Sequence, residues 1–181
     1  MLNDKKGRLR AMQRINILKK YIKPNSVGLE IGVFAANLTE VLFEKIEGVK
    51  IYALDTWEVQ NKYKTRLYGG KFDMDDIYEI VKSKLKDKNV EIIKDYSDNV
   101  HKYITEKLDW AYIDGNHSYE FVLRDLENSK KLVKKGGVIL CDDFGWSDTY
   151  ANGGVTKAVN EFCKKYSITQ KLEKNQAILF L

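Results

Sequence analysis

Short apolar runs alternate with amphipathic stretches along this chain, and five of the runs carry an acid within two residues of their end. Val27 to Ile31, Val49 to Leu54, Val90 to Ile93, Trp110 to Ile113 and Val138 to Cys141 are too short for core helices and read as buried strands. Between them lie helical patterns. Leu38, Val41, Leu42 and Ile46 share one face, and further helices are predicted over Asp75 to Leu85, Asp98 to Lys107 and Tyr119 to Val133, the last broken by Gly136-Gly137. Ahead of the first strand, Leu9, Met12, Ile15, Leu18 and Ile22 recur at helical spacing, and Pro24 stops that helix at or before Lys23. Val155, Val159, Phe162 and Tyr166 form a final stripe. Two strands follow it, Ile168 to Leu172 and Ala177 to Leu181, across the turn Glu173-Lys174-Asn175.

Strands alternating with helices imply right-handed parallel crossovers. The last connection is too short for a crossover, so the final strand runs antiparallel. The expected fold is α/β: a doubly wound, Rossmann-like seven-stranded sheet, mostly parallel with an antiparallel last strand and helices on both faces. A length of 181 residues suits one domain spanning 1–181, with an N-terminal helix over 1–24 and a substrate-side insertion over 56–88. The 44% apolar content is enough for a packed core. The 31 basic and 26 acidic residues leave a net charge of +5, spread along helical faces rather than gathered in a block. No apolar run approaches the roughly 20 residues of a membrane span. No apolar stretch follows the charged start, and both cysteines, Cys141 and Cys163, fall on core-facing positions. A cytoplasmic protein is expected.

In doubly wound sheets ligands sit beyond the carboxyl ends of the strands. Those ends carry Glu30-Ile31-Gly32-Val33-Phe34, then Asp55-Thr56-Trp57, Asp95-Tyr96-Ser97, Asp114-Gly115-Asn116-His117 and Asp142-Asp143. All five carry a carboxylate, more than helix capping requires. The first loop has a glycine for the sharp turn but lacks the GxGxxG that brings backbone against a pyrophosphate, and no phosphate-binding P-loop is present. Glu30 places an acid near that turn, which disfavours an anionic ligand. Asp55 follows Gly32 at close to the spacing of an acid that receives ribose hydroxyls. A nucleoside with a cationic, non-phosphate tail fits these features, and S-adenosylmethionine is one.

VGLEIGVFAANLTEVL, IYALDTWE, IIKDYSDN, LDWAYIDGNHSYEFVLRDL and GGVILCDDF together resemble the class I S-adenosylmethionine-dependent methyltransferases. More narrowly they are similar to the metal-dependent O-methyltransferases of sugars and other small molecules. The likeness runs from Val27 to the C-terminus, and the IDGNHSYE and DDF stretches are its most specific part. The resemblance implies a cofactor site of Glu30, Gly32, Phe34, Asp55, Thr56, Trp57, Asp95, Tyr96, Ser97 and Asp114, with Asp55 on the ribose and Asp95 to Ser97 along the adenine. It implies a divalent metal, magnesium first, on Asp114, Asp142 and Asp143, and His117 as general base beside Asp114. Ala36 departs from the pattern, since many relatives have glycine there.

The chemistry is consistent with these residue types. An aliphatic hydroxyl hardly ionises near neutrality, and a hard cation on oxygen ligands stabilises the developing alkoxide. His117, at the start of the following helix, is expected to be neutral there and ready to take the proton. The expected partner is a small-molecule hydroxyl substrate, with no membrane; a homo-oligomer stays open. Two other readings compete. One is a nucleic-acid methyltransferase, drawing on the +5 charge and the aromatics among lysines over Thr56 to Tyr68, but it lacks an NPPY-type pocket and a clustered basic patch. The other is a non-catalytic cofactor-binding module.

Overall fold

In the computed structural model of the chain, residues 5–58, 73–147 and 152–181 are described. Residues 59–72 of the expected insertion, with Lys62, Lys64, Arg66 and the Gly69-Gly70 pair, lie outside them, as does Tyr150. The described elements in chain order are α1 (Lys5–Leu18), β1 (Val27–Ile31), α2 (Asn37–Lys45), β2 (Lys50–Asp55), α3 (Met74–Leu85) and β3 (Val90–Lys94). A short 3-10 helix (Ser97–Lys102) follows, then β4 (Leu108–Ile113), α4 (Tyr119–Leu132), β5 (Val133–Cys141), α5 (Gly154–Tyr166), β6 (Thr169–Glu173) and β7 (Gln176–Phe180).

The strands form one seven-stranded sheet in the order β3-β2-β1-β4-β5-β7-β6. β1 through β5 are parallel, and β7 inserts antiparallel between β5 and β6. The order reverses direction at β1 and β4, which places the switch point between Ile31 and Ile113. Alternation along the strands sorts the core into two layers. Ile51, Ala53, Trp110, Tyr112, Leu140 and Ile178 face α1, α2 and α3. Leu29, Ile31, Leu54, Ile113, Ile139 and Leu179 face α4 and α5.

Three local expectations change. Leu9 fits the α1 stripe by spacing but is 61% exposed, because Ala11, Ile15 and Leu18 turn the helix so that its position points outward. The helix expected over Asp98 to Lys107 is the 3-10 helix Ser97–Lys102, closed by the Val100 carbonyl accepting from Tyr103 and Ile104. Gly136-Gly137 lies inside β5 rather than ahead of it; the register with β4 shifts between Leu108 and Trp110, and Gly136 N–H and the Gly137 carbonyl pair with Leu181. Cys141 and Cys163 are free and buried as expected. Among the described residues, no helix is long and apolar enough to cross a membrane.

Candidate active site

The carboxyl ends of β1, β2 and β4 open into a cavity of about 770 Å³, roofed on one side by α1. Its floor begins at the β1–α2 loop. Gly32 has φ +93°, and a Cβ there would lie 2.2 Å from the Asp114 carbonyl oxygen, so only glycine lets the first loop pass the fourth strand end this closely. The loop is then tied to β2. Asp55 accepts the Phe34 N–H at 2.9 Å on one oxygen and the Trp57 N–H at 2.9 Å on the other. These two bonds fix the orientation of Asp55.

Glu30 is buried beneath this loop, and the Thr39 hydroxyl donates to it at 2.8 Å. Burial pushes its carboxyl up to about 8, against the Thr39 hydrogen bond. Its expected negative charge is therefore corrected: near neutral pH Glu30 holds its proton. Phe34 and Thr56 line the cavity, whereas Trp57 is turned into the core, donating its indole N–H to the Phe34 carbonyl at 2.9 Å and packing on Tyr78.

Asp95, Tyr96 and Ser97 form the next wall. Asp95 serves mainly its own turn, accepting from the Tyr96 N–H, Asn99 and the Tyr103 hydroxyl, and these bonds hold it below the usual carboxylate range. Tyr96 donates to Glu58 at 2.8 Å. Ser97 is buried and donates to Asp125 of α4. Asp125 was not read from the sequence, yet it had a signal: an acid at the buried spacing of Val122, Leu126 and Ser129. Burial raises it to about 7.

On the β4 side, Asn116 accepts the Ser118 N–H at 3.0 Å, and this turn presents His117 inward at the start of α4. Gly154, the first residue of α5, backs the same turn; a Cβ there would lie 2.4 Å from the His117 carbonyl oxygen. The His117 ring lies 3.3 Å from Asp114 through Nε2 and 3.7 Å from Asp143 through Nδ1, with Trp146 edge-on at 5.6 Å. Burial alone would lower its pKa, but the hydrogen bond and charge of Asp114, with Asp143 and Asp142, outweigh it and raise the pKa above the ordinary imidazole value. These groups work against the neutral ring expected from the sequence. Three carboxylates favour the imidazolium more than the start of α4 disfavours it.

Asp114, Asp142 and Asp143 do converge, around a residue absent from the sequence reading. Arg14 of α1 pairs with Asp114 at 2.9 Å through one terminal nitrogen and with Asp142 through the other. Burial works against the guanidinium's charge, and Asp114, Tyr112 and Asp142 more than offset that. Asp142 is buried, and Gln176 and Asn175 also donate to it. Asn175 reaches Asp143 as well, at 3.0 Å, so the turn of the final hairpin grips both acids. Burial and Asp114 raise Asp142 to about 7, while Arg14 pulls it down. Asp114, His117 and Asp143 each offer one ligand atom within 4.8 Å of one another.

In a doubly wound sheet, ligands bind beyond the carboxyl ends of the strands at the switch point, and here acids gather around that place. The chain belongs to the methyltransferase-domain family, whose model matches residues 26–144. No curated protein matches the chain. Among solved structures it is similar to a methyltransferase from Pyrococcus furiosus, at 17% identity over 94% of this chain and 82% of that one, TM-score 0.64. It is similar to an O-methyltransferase from Bacillus cereus in complex with SAH, at 15% identity over 100% of this chain and 83% of that one, TM-score 0.61. An rRNA methylase from Streptococcus thermophilus is also similar, at 17% identity over 93% of each chain, TM-score 0.59.

Proposed function

We propose that the chain is an S-adenosylmethionine-dependent methyltransferase that methylates a hydroxyl of a small molecule such as a sugar, with assistance from a divalent cation, magnesium first. The observation that carries this reading is the convergence of Glu30, Asp55, Ser97, Asp114 and His117 on one cavity at the strand ends. The SAH carried by the Bacillus cereus neighbour, the spent form of that donor, supports the same cofactor.

The residues fit the donor. Gly32 and Asp55 both line the cavity, where the loop after the first strand and an acid at the end of the second would meet the donor's ribose. Glu30 and Asp125, both buried and both raised toward neutrality, gain from a ligand that brings positive charge and N–H or O–H donors. When bound, the donor supplies an electrophilic methyl group on a sulfonium.

The residues also fit a hard cation, since Asp114 and Asp143 offer oxygens beside His117 and Asp142 stands behind them. We assign Asp114, Asp142 and Asp143 to that ion, which would supply Lewis acidity toward the acceptor oxygen. His117 is kept for the proton: in its neutral form it accepts the hydroxyl hydrogen, and Asp114 stabilises the imidazolium that results. Trp146 closes one side of this corner and limits water.

Calorimetry with S-adenosylmethionine and SAH tests the donor, and transfer of labelled methyl to glucose and catechol, with magnesium or EDTA, tests the acceptor and the cation. Binding that is lost in Asp55→Ala, and transfer that needs magnesium and is lost in Asp143→Asn, are the expected results. Absence of binding by either ligand at millimolar concentration overturns the reading.

A further inference from the structure

The cavity is lined by both signs of charge. Glu30, Asp55, Asp95, Asp114, Asp125 and Asp143 are its acids, and Arg124 stands beside Asp125. Further cations come from the first helix. Lys6, Arg10 and Arg14 of α1 all line the cavity, and their spacing of four stacks them on one helical face. Lys174, at the tip of the β6–β7 turn with φ +56°, joins them from across the opening.

Helix stability does not explain this stripe. Like charges four residues apart destabilise a helix by about 0.2–0.5 kcal/mol a pair. Cations near the first turn also oppose the helix dipole, and α1 has no acid in that turn to compensate. Two other cations on or beside this helix have partners: Arg8 pairs with Glu44 at 2.8 Å, and Lys20 with Glu173 at 2.5 Å. Arg14 is balanced by Asp114 and Asp142. Lys6, Arg10 and Lys174, all facing the cavity, have no ion pair with any described residue. Three cations from two chain segments thus share one opening without an ion-pair partner among the described residues, in the cavity that His117 and Asp143 also line.

We propose that the methyl acceptor is anionic and that Lys6, Arg10 and Lys174 hold its phosphate or carboxylate while its hydroxyl reaches His117. This rests on the methyltransferase reading and narrows its substrate class. Lys6, Arg10 and Lys174 attract an anionic acceptor and repel the cationic donor, which the acids at the strand ends take.

The test uses the full chain saturated with SAH and two matched probe pairs, glucose with glucose 6-phosphate and catechol with 3,4-dihydroxybenzoate, each titrated by calorimetry. The anionic member of each pair should bind about 10-fold tighter or more, the equivalent of roughly 1.4 kcal/mol. The variant Lys6→Ala/Arg10→Ala/Lys174→Ala should lose that preference and keep its affinity for SAH, which shows that the fold and the donor site are intact. Equal binding within both pairs, no binding of either anionic probe, or a preference that survives in the variant overturns the proposal. A short single-stranded RNA forms the third arm. If it binds tighter than both anionic probes with a steep salt dependence, the cations serve a polymer and the small-acceptor proposal falls. Failure of SAH to bind would instead remove the methyltransferase reading, with the anion preference still measured on the protein alone.

Discussion

The guanidinium of Arg14, on the first helix, lies 2.9 Å from the carboxylate of Asp114 at the end of the fourth strand, and its other arm reaches Asp142. One side chain thereby neutralises two of the acids assigned to a metal ion. The same acids cannot face a guanidinium and a divalent cation at full strength together, so Arg14 and the ion compete.

Arg14→Gln should therefore destabilise the protein in chelator, by about 3 kcal/mol, because Asp142 is left buried without its counter-charge. Magnesium should restore part of that loss, and raise the melting temperature of the variant more than that of the wild type. Thermal melts of both proteins with EDTA and with magnesium measure the difference. Equal magnesium shifts would show that the two cations do not share the acids.

Gly32→Ala should cost about 3 kcal/mol, combining a left-handed backbone with a methyl group driven against Asp114. Donor binding should fall with it, since the same loop carries the Phe34 N–H that aims Asp55. Urea midpoints and SAH calorimetry on the variant check both effects.

Glu30 links stability to pH. Its folded carboxyl titrates at about 8 against an ordinary 4.5, so between those values the unfolded chain has released a proton that the folded chain keeps. Folding then becomes less favourable as pH rises through this window, by about 1.4 kcal/mol per unit from this group, and the contribution is complete below 4.5. Glu30→Gln should flatten that part of the curve in urea titrations between pH 5 and 8. An unchanged slope would mean that Glu30 is ionised in the fold.

His117 must be neutral to take a proton, and the neighbouring carboxylates raise its pKa. The methyl-transfer rate should rise with pH through a midpoint above 6.5, the ordinary imidazole value. His117→Ala should remove that limb and lower the rate by about 10²–10⁴-fold, the usual range for a lost general base. Steady-state rates across pH 5.5–9 report both.

What the linear chain determined was the sheet and the order of its acidic ends. Apolar runs such as Val27 to Ile31 and Trp110 to Ile113 are buried by their own composition, and the acid in or beside the last residues of each must then lie at the same edge. Glu30, Asp55, Asp114 and Asp143 were legible for that reason, because strand direction and connection rules are local and strict. Their protonation was not legible. The proton on Glu30 and the raised pKa of His117 come from burial and neighbouring charge supplied by segments distant in the chain. Arg14, Asn175 and Gln176 were missed for the same reason: an arginine on a surface-patterned helix and two amides in a hairpin turn look solvated until α1 and β7 dock beside Asp142. Long-range packing alone chose their partners, since no periodicity or spacing links residue 14 to residue 142.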